Sequence, residues 1–347
     1  MKRTLMMTGD VNLMNVDDPA VPFARIRSTL RSADVVFGNL ECCFYEPPGE
    51  HSVENEGFYA PLSSVAALRS AGYHALGNAN NVNYGADAIE SSLACLDQAG
   101  IPHAGTGLNR KQARAPVVVD GKGLKFGLLQ RTSVYWPNNH EATEHSTGVA
   151  VLKGHTAYQP MFHKLRPDIP PANRPGVPPA IVTWADTKSL ALYTDDIVAL
   201  KKQADIAVAS NHWGLWEEVL EYQVEIAHAA IDAGADVVMG HGPHYSCAVE
   251  MYRGKPIFYG LGSFSFHTGH GGLKHGDWVG MLARVGFEET ELVSVAFSLV
   301  RHNDRNETYV CDLGENHAAV ERITSHCDKF GTQLKARGEE LVVWEKS

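Results

Sequence analysis

Short apolar runs alternate with amphipathic helical patterns along most of the chain, and this alternation limits the fold more than any other feature. The runs predict strands at residues 3–8, 34–37, 74–76, 126–130, 181–184, 206–209, 237–239, 257–259 and 292–299. Apolar residues at three- and four-residue spacing predict helices over residues 23–31, 63–71, 86–99, 195–203 and 219–233. Strands that alternate with helices are typical of an α/β protein with a mainly parallel or mixed sheet.

The composition indicates a soluble protein that folds by itself and binds a small or peptide-like ligand. The chain has 347 residues, of which 44% are hydrophobic, so it can bury a large core. Its formal net charge is -10 and it contains no long run of like charges, which disfavours nucleic acid or an anionic membrane as a partner. The six cysteines are scattered and form no C-x-x-C pair, which fits reduced thiols in the cytoplasm.

The amino-terminal segment MKRTLMMTGDVNLM does not resemble a signal peptide, because Gly9 and Asp10 interrupt its apolar run. The sequence also contains no apolar stretch long enough to span a bilayer. We therefore expect a cytoplasmic protein without membrane insertion. Whether it forms a homo-oligomer is left open.

Residues 1–300 are predicted to form one domain, and residues 301–347 an extension that packs on it. A proline-rich insertion at residues 153–179 interrupts the domain, and its proline density argues against a regular element. Such an insertion is either a lid over a binding site or a surface excursion without contact to substrate. Its Arg166 and Arg174 would suit an anionic substrate group if the insertion is a lid, and would only be solvated if it is not.

Polar segments follow five of the predicted strands at their carboxyl ends. These segments are Gly9 to Asn12, Gly38 to Glu41, the asparagine-rich GNANNVNYG from Gly77, Ser210 to Gly214, and Gly240 to His244. Because ligands of open α/β sheets bind beyond the carboxyl ends of the strands, we expect the five segments to meet in one crevice. Carboxylates, amide oxygens and imidazoles are together the donors that a pair of divalent cations prefers.

Each of these residues also has a plain structural interpretation. Asp10 taken alone is better explained as the start of a turn, Glu41 is equally well a solvated carboxylate, and His212 is equally well a buried core imidazole. The G-H-G-P-H segment with His241 and His244 is the strongest single signal, because two histidines held by glycines and a proline have no packing purpose. The five segments together are far more specific than any one of them.

The motifs MTGDVNLM, DVVFGNLE, LGNANNVNYG, SNHWG, GADVVMGHGPH and YGLGSFSF resemble the CapA family of poly-γ-glutamate capsule biosynthesis proteins, which is related to the calcineurin-like metallophosphoesterases. The resemblance implies a four-layer sandwich, in which two mixed β-sheets are flanked by helices, with a dinuclear metal centre at the strand ends. By position it implies metal ligands at Asp10, Glu41, His212, His241 and His244. Asn12 lies where related phosphoesterases have the histidine of D-x-H, and it is a predicted metal ligand through its amide oxygen.

The asparagine segment departs from the family pattern A-N-N-H-S-L-D-Y-G. Alignment on Tyr84 and Gly85 places Ala79 at the expected metal-binding asparagine and Asn80 at the histidine expected to protonate the leaving group. Either Asn78 or Asn80 then supplies the displaced metal ligand, or the number of metal ions and the chemistry differ from those of phosphoesterases. A leaving group that needs protonation would require another acid, for which His140, His145 and His270 are candidates.

These observations predict a hydrolase that depends on two divalent metal ions, from among Mn, Zn, Co and Fe. The reaction expected first is attack of a metal-bound hydroxide on an amide bond of the peptide or γ-glutamyl type. The alternatives are a phosphoesterase and a non-catalytic factor in capsule assembly. His212, Asn80 and His244 are the predicted catalytic residues, and Trp213 and His270 join Arg166 and Arg174 as predicted substrate contacts.

Overall fold

A computed structural model of the chain describes residues 1–49, 57–160, 175–269, 273–274, 276 and 278–346. Within these residues two β-sheets pack face to face and helices cover their outer faces. The predicted α/β architecture of two mixed sheets flanked by helices is thereby confirmed. The α-helices are α1 (Arg27–Arg31), α2 (Val65–Ala71), α3 (Ala86–Ala99), α4 (Arg110–Arg114), α5 (Thr187–Lys201), α6 (Glu221–Asp232) and α7 (His317–Asp328).

The first sheet has a parallel half and an antiparallel half. The parallel half contains β1 (Lys2–Asn12), β2 (Val35–Leu40), β5 (Ala75–Gly77), β6 (His103–Ala104) and β17 (Ser263–Phe266). In the antiparallel half, β18 (Gly280–Glu288) pairs with β1 and β19 (Glu291–His302) pairs with β18. Both β20 (Thr308–Val310) and β22 (Glu340–Glu345) pair with β19, and β21 (Lys335–Arg337) pairs with β22 at the edge.

The second sheet is parallel at its centre and antiparallel at both edges. Its strands are β8 (Val117–Asp120), β9 (Lys125–Thr132), β13 (Ile206–His212), β14 (Val237–His241), β15 (Val249–Tyr252) and β16 (Lys255–Phe258). Three small pairs complete the strands: β3 (Cys43–Phe44) with β4 (Tyr59–Ala60), β7 (Thr106–Gly107) with β10 (Gly148–Val149), and β11 (Gly154–Gln159) with β12 (Ala180–Ala185).

Side chains of the central strands alternate between two cores, as the two-residue period of a strand requires. On β1, Leu5 and Met7 enter the core between the sheets, whereas Met6 packs under the helices of the first sheet. On β9, Leu128 enters the core between the sheets and Leu129 packs under α5 and α6. Parallel pairing within each sheet, together with the contact between Asp10 and His241, places the carboxyl ends of β1, β2, β9, β13 and β14 at the same end of the sandwich.

The proline-rich insertion contains more regular structure than expected. The prediction that it forms no regular element is wrong for residues 154–159, which pair with β12 as an antiparallel ribbon outside the two large sheets. Its prolines lie from residue 160 onward, so the segment before them keeps the backbone donors that a strand needs. Residues 161–174, with the predicted substrate contacts Arg166 and Arg174, lie outside the described residues.

The carboxyl-terminal residues add strands to the first sheet. β19 runs through the predicted boundary at residue 300, and β20 and β22 both pair with it. Ile323 and Cys327 of α7 belong to the core between the sheets. No helix in the described part of the chain is long and apolar enough to cross a membrane.

Candidate metal centre

Five side chains that the sequence placed at strand ends meet at one end of the sandwich. Asp10 lies inside β1, which continues to Asn12 because a register shift after Asp10 accommodates the extra residues. His212 and His241 are the last residues of neighbouring strands β13 and β14, and Glu41 directly follows β2. Asp10, Glu41, His212 and His241 are buried, whereas the His244 side chain is 23% exposed.

Asp10 belongs to two groups of potential metal ligands. The donor atoms of Asp10, His212 and His241 lie within 4.8 Å of one another, as do those of Asp10, Glu41 and His244. Asp10 turns one oxygen to each group: its Oδ1 lies 3.8 Å from His241 Nδ1 and its Oδ2 lies 3.0 Å from His244 Nδ1. A carboxylate placed between two ligand sets is the arrangement that bridges a pair of cations.

The loop after β14 needs unusual backbone conformations to bring both histidines to the site. Gly242 has φ 113° and His244 has φ 65°, both in the left-handed region that favours glycine. A non-glycine residue such as His244 adopts this conformation only where its surroundings hold it there. The His244 ring lies 4.7 Å from the Phe266 ring and 4.8 Å from the Trp278 ring, measured between centroids.

The two buried carboxyl groups respond differently to their surroundings. Burial raises the pKa of Asp10, but the hydrogen bond and charge of His244, with the charges of His241 and His212, outweigh it and hold that pKa below its usual range. Burial, together with the negative charge of Asp10, raises the pKa of Glu41 well above its usual range. The surrounding side chains therefore stabilise the negative charge of Asp10 but not a second negative charge on Glu41, which a divalent cation would stabilise.

The imidazoles of His212 and His241 are neutral, which is the form that binds metal. Burial lowers the pKa of His241 to about 4 and, with the charge of His241, places that of His212 well below its usual value. His212 Nε2 lies 2.9 Å from Asn81 Oδ1, an acceptor, so Nε2 carries the proton and Nδ1 presents a lone pair. The Nδ1 atom of His212 lies 3.3 Å from His241 Nδ1, and both atoms are close to the Asp10 carboxylate. One cation between them would therefore contact all three side chains.

Asn39 connects the two carboxylates, and the sequence did not single it out. Its amide nitrogen donates to Asp10 Oδ1 at 2.8 Å and lies 3.3 Å from Glu41 Oε2. Its amide oxygen accepts from Gln130 Nε2 at 2.9 Å, and His241 Nε2 lies 2.8 Å from Ser210 Oγ, which accepts the Nε2 proton when Nδ1 binds a cation. Hydrogen bonds of this kind orient metal ligands.

The asparagine segment is mainly a turn. Asn80 Oδ1 accepts from the backbone N–H of Asn83 at 3.0 Å, while its amide nitrogen donates to Leu40 O at 2.8 Å. Asn83 donates to the backbone oxygens of Asn78 and Leu40, so the loop is tied to itself and to β2. In contrast, the buried Asn78 Oδ1 has no hydrogen-bond partner. Asn80 therefore has both of its amide atoms engaged within the protein, whereas Asn78 retains an oxygen that can accept a ligand.

The amide of Asn12, another predicted ligand, is used inside the protein. Its oxygen accepts from the backbone N–H of Met14 at 2.8 Å, and its nitrogen donates to Thr268 O at 2.7 Å. These bonds form a turn at the end of β1.

The predicted substrate contact Trp213 is a core residue. Its side chain is fully buried, and its indole N–H donates to Tyr259 O at 2.8 Å. It offers no surface to a ligand, so the prediction is wrong. His270 lies outside the described residues. Beside the site the partly exposed aromatic side chain is Trp278, against the His244 ring, whereas Phe266, at the end of the YGLGSFSF motif, is buried and supports that ring from within.

Two other histidines that could have replaced the missing acid are occupied or distant. His140 is buried, its Nδ1 accepts from the backbone N–H of Trp136 at 3.1 Å, and its Nε2 donates to Asn83 O at 2.9 Å. Burial lowers its pKa to about 4. The His145 side chain is 93% exposed and contacts the neighbouring Glu144.

Comparisons with known proteins agree with the motifs. Residues 4–268 match the family described as "Bacterial capsule synthesis protein PGA_cap". The chain is 28% identical over 305 residues to the uncharacterized protein y4sH of Sinorhizobium fredii, covering 76% of this chain and 66% of that protein. It is 26% identical over 284 residues to the capsule biosynthesis protein CapA of Bacillus anthracis, covering 77% of this chain and 61% of the relative.

A third relative is a probable polyglutamine synthesis accessory protein of Mycobacterium tuberculosis, 32% identical over 206 residues, covering 57% of this chain and 47% of that protein. The chain thus spans between about half and two thirds of the length of these curated relatives. Among solved structures, a phosphatase from Mycoplasma pneumoniae is similar with a TM-score of 0.49 and 10% identity, covering 86% of this chain and 93% of that one.

Proposed function

The chain belongs to the bacterial capsule synthesis family PGA_cap, and from this premise we propose that it is a metal-dependent hydrolase that cleaves amide bonds of the peptide or γ-glutamyl type. The observation that carries the proposal is the position of Asp10 between two sets of ligand atoms. One cation would be held by Asp10, His212 and His241, and the other by Asp10, Glu41 and His244. Asn78 is the additional oxygen donor.

Two divalent cations in these positions would supply a nucleophile from water at neutral pH and polarise the bond under attack. The donor set of carboxylate, imidazole and amide oxygen fits Mn, Zn, Co or Fe, since it contains no thiolate. The cysteines beside Glu41 support this choice, because burial raises the pKa of Cys42 to about 12 and so keeps it protonated.

The residues of the site have different tasks in this proposal. Asn39 fixes the orientations of Asp10 and Glu41 through its hydrogen bonds, Gln130 holds Asn39, and Ser210 Oγ holds His241 by accepting its Nε2 proton. His244 is partly exposed, so substrate approaches on its side, where Trp278 forms an aromatic wall. Of the other two residues predicted to be catalytic, the buried His212 would hold one of the cations, and the buried Asn80 keeps the asparagine turn in place.

The amide bond is preferred over the phosphoester because of the name of one curated relative. That relative is named for polyglutamine synthesis, and polyglutamine is an amide-linked chain. Asn80 replaces the imidazole of the phosphoesterase pattern and cannot act as an acid, so the amine that leaves from the amide would take its proton from the attacking water. The proposal therefore places the chain's substrate among glutamyl peptides.

A substrate screen tests the reaction class. Protein loaded separately with Mn, Zn, Co and Fe would be offered α- and γ-linked glutamyl peptides and aryl phosphate mono- and diesters, beside an Asp10→Asn variant. We expect peptide cleavage that the variant lacks. Phosphoester cleavage without peptide cleavage would contradict the proposal and favour the phosphoesterase.

A non-catalytic role is the second candidate, because one relative is named an accessory protein. It predicts that the wild-type chain binds metal through Asp10 but turns over none of the substrates. Chromatographic analysis of glutamyl peptides after prolonged incubation separates slow turnover from none.

A further inference from the structure

A cavity separate from the candidate metal centre lies on the opposite side of β9. Gln130 and Arg131 are neighbours on β9, so their side chains point to opposite faces of the sheet. The Gln130 amide reaches Asn39 and His241, whereas the Arg131 guanidinium reaches Asp196 on α5. Around Arg131 is a cavity of about 530 Å³ between α4, the beginning of α5 and residues 149–153.

The lining of this cavity is rich in cationic side chains although the chain as a whole is acidic. Five cationic residues line it against three acidic ones, in a protein of formal net charge -10. Lys153 pairs with Glu141 at 2.9 Å, and Asp186 caps α5 by accepting from the backbone N–H of Ser189. These contacts leave Asp196 to balance the arginines.

Two guanidinium groups share the single Asp196 carboxylate. Arg114 binds it in a bidentate manner, with Nε at 3.0 Å from Oδ2 and Nη2 at 2.8 Å from Oδ1. Arg131 Nη2 lies 2.5 Å from the same Oδ2. Arg131 is 2% exposed, so one positive charge is held away from water without a matching carboxylate. Burial accordingly lowers the pKa of Arg131, even though Asp196 acts in the opposite direction.

Two more cations stand at the edge of the cavity. Arg110 begins α4 and Lys188 lies in the first turn of α5, and both side chains are exposed. Neither forms an ion pair with another residue in the part of the chain that the structure describes. A ligand that enters the cavity would therefore meet two unpaired cations before it reaches Arg114 and Arg131.

We propose that this cavity is a second binding site that takes a small anionic ligand through a carboxylate or phosphate group. Planar guanidinium groups bind either anion in a bidentate manner, and the lysine adds a point charge. The cavity has the size of small-molecule sites, which range over about 300–1,000 Å³. The anion would supply the negative charge that Asp196 alone does not.

Calorimetric titration of the metal-free full chain at low ionic strength tests this site. The probes are inorganic phosphate and a triglutamate peptide, and removal of metal prevents either from binding at the metal centre. The test protein is the double variant Arg110→Gln/Lys188→Gln, because these exposed side chains form no ion pair within the described ranges and their replacement is expected to spare the fold. The matched control is Lys111→Gln/Lys202→Gln, which removes one exposed charge on α4 and one at the carboxyl end of α5, neither of which lines the cavity.

We expect at least one probe to bind the wild type and the control equally, and to bind the lining variant roughly tenfold or more weakly, since one lost charged hydrogen bond is worth about that factor. The probe that binds more tightly identifies the anion as carboxylate or phosphate. Absence of binding for both probes, or equal weakening in the lining and control variants, would overturn the proposal. Metal content, measured on the same variants, is expected to be unchanged and reports separately on the metal centre.

Discussion

The amide nitrogen of Asn39 donates a hydrogen bond of 2.8 Å to Oδ1 of Asp10, the carboxylate placed between the two ligand groups. The same nitrogen lies 3.3 Å from Glu41 Oε2, so one amide sets the spacing of both acidic ligands. We expect Asn39→Ala to lower metal affinity roughly ten- to hundredfold, as loss of a ligand-orienting group does. Titration of the wild type and the variant with Mn or Zn would measure this loss of affinity. The control is Asn316→Ala, which removes a buried amide bonded to Arg301, and equal losses in both variants would refute the role of Asn39.

Asn78 and Asn80 are expected to behave in opposite ways. Asn80→Ala removes hydrogen bonds to Leu40 and Asn83 and should lower the free energy of unfolding by about 2 kcal/mol. Asn78→Ala removes an oxygen that has no partner, so it should change the stability of the metal-free protein by less than about 0.5 kcal/mol while weakening metal binding. Denaturant unfolding and metal titration of both variants would measure this. The reverse pattern would show that Asn80 is the ligand.

Gly9 is packed against the backbone of Gly262, to which Asp10 N also donates a hydrogen bond of 2.9 Å. A Cβ atom at residue 9 would lie 1.8 Å from Gly262 O, so β1 or the segment before β17 would have to move. We expect Gly9→Ala to destabilise the fold by at least about 1–3 kcal/mol and to displace Asp10. Gly49→Ala, where no atom lies within 4 Å of the added Cβ, is the control for thermal unfolding. An undiminished melting temperature for Gly9→Ala would show that this contact is not tight.

His140 makes the stability of the asparagine segment depend on pH. Its folded-state pKa of about 4 lies below the ordinary value of 6.5, because burial opposes protonation. A histidine with a lowered pKa contributes its full stability above 6.5 and loses it as the pH falls toward 4. The total loss attributable to His140 is about 3 kcal/mol. Unfolding measured across this range should show a shallower pH dependence in His140→Gln, whereas His145→Gln should match the wild type, and parallel curves for all three proteins would contradict the assignment.

The carboxylate and imidazole residues of the site were predictable because they follow strands. Asp10, Glu41, His212, His241 and His244 each lie at or just after the end of an apolar run, where a polar side chain has no packing purpose. Strand order was not needed, since strands of a parallel sheet present their carboxyl ends on one side. The structure does bring all five together.

Asn39, Gln130 and Trp213 show what the sequence could not decide. Asn39 and Gln130 lie within strands, and only the packing of the two sheets shows that they meet each other and His241. Trp213 follows His212 in the motif that suggested a site, but its side chain points into the core under α5 and α6. The antiparallel strands β18, β20 and β22 were missed because their pairing with β1 and β19 depends on contacts distant in sequence.

The central claim is that Asp10 binds two cations at once, and metal content per chain measures it most directly. Wild type, Asp10→Ala and Glu41→Gln would be purified without a histidine tag, equilibrated with Mn or Zn, freed of excess metal and analysed by plasma mass spectrometry. The account predicts two equivalents in the wild type, none in Asp10→Ala and one in Glu41→Gln, which disturbs a single ligand group. One equivalent or more retained by Asp10→Ala, or no metal bound by the wild type, would contradict it.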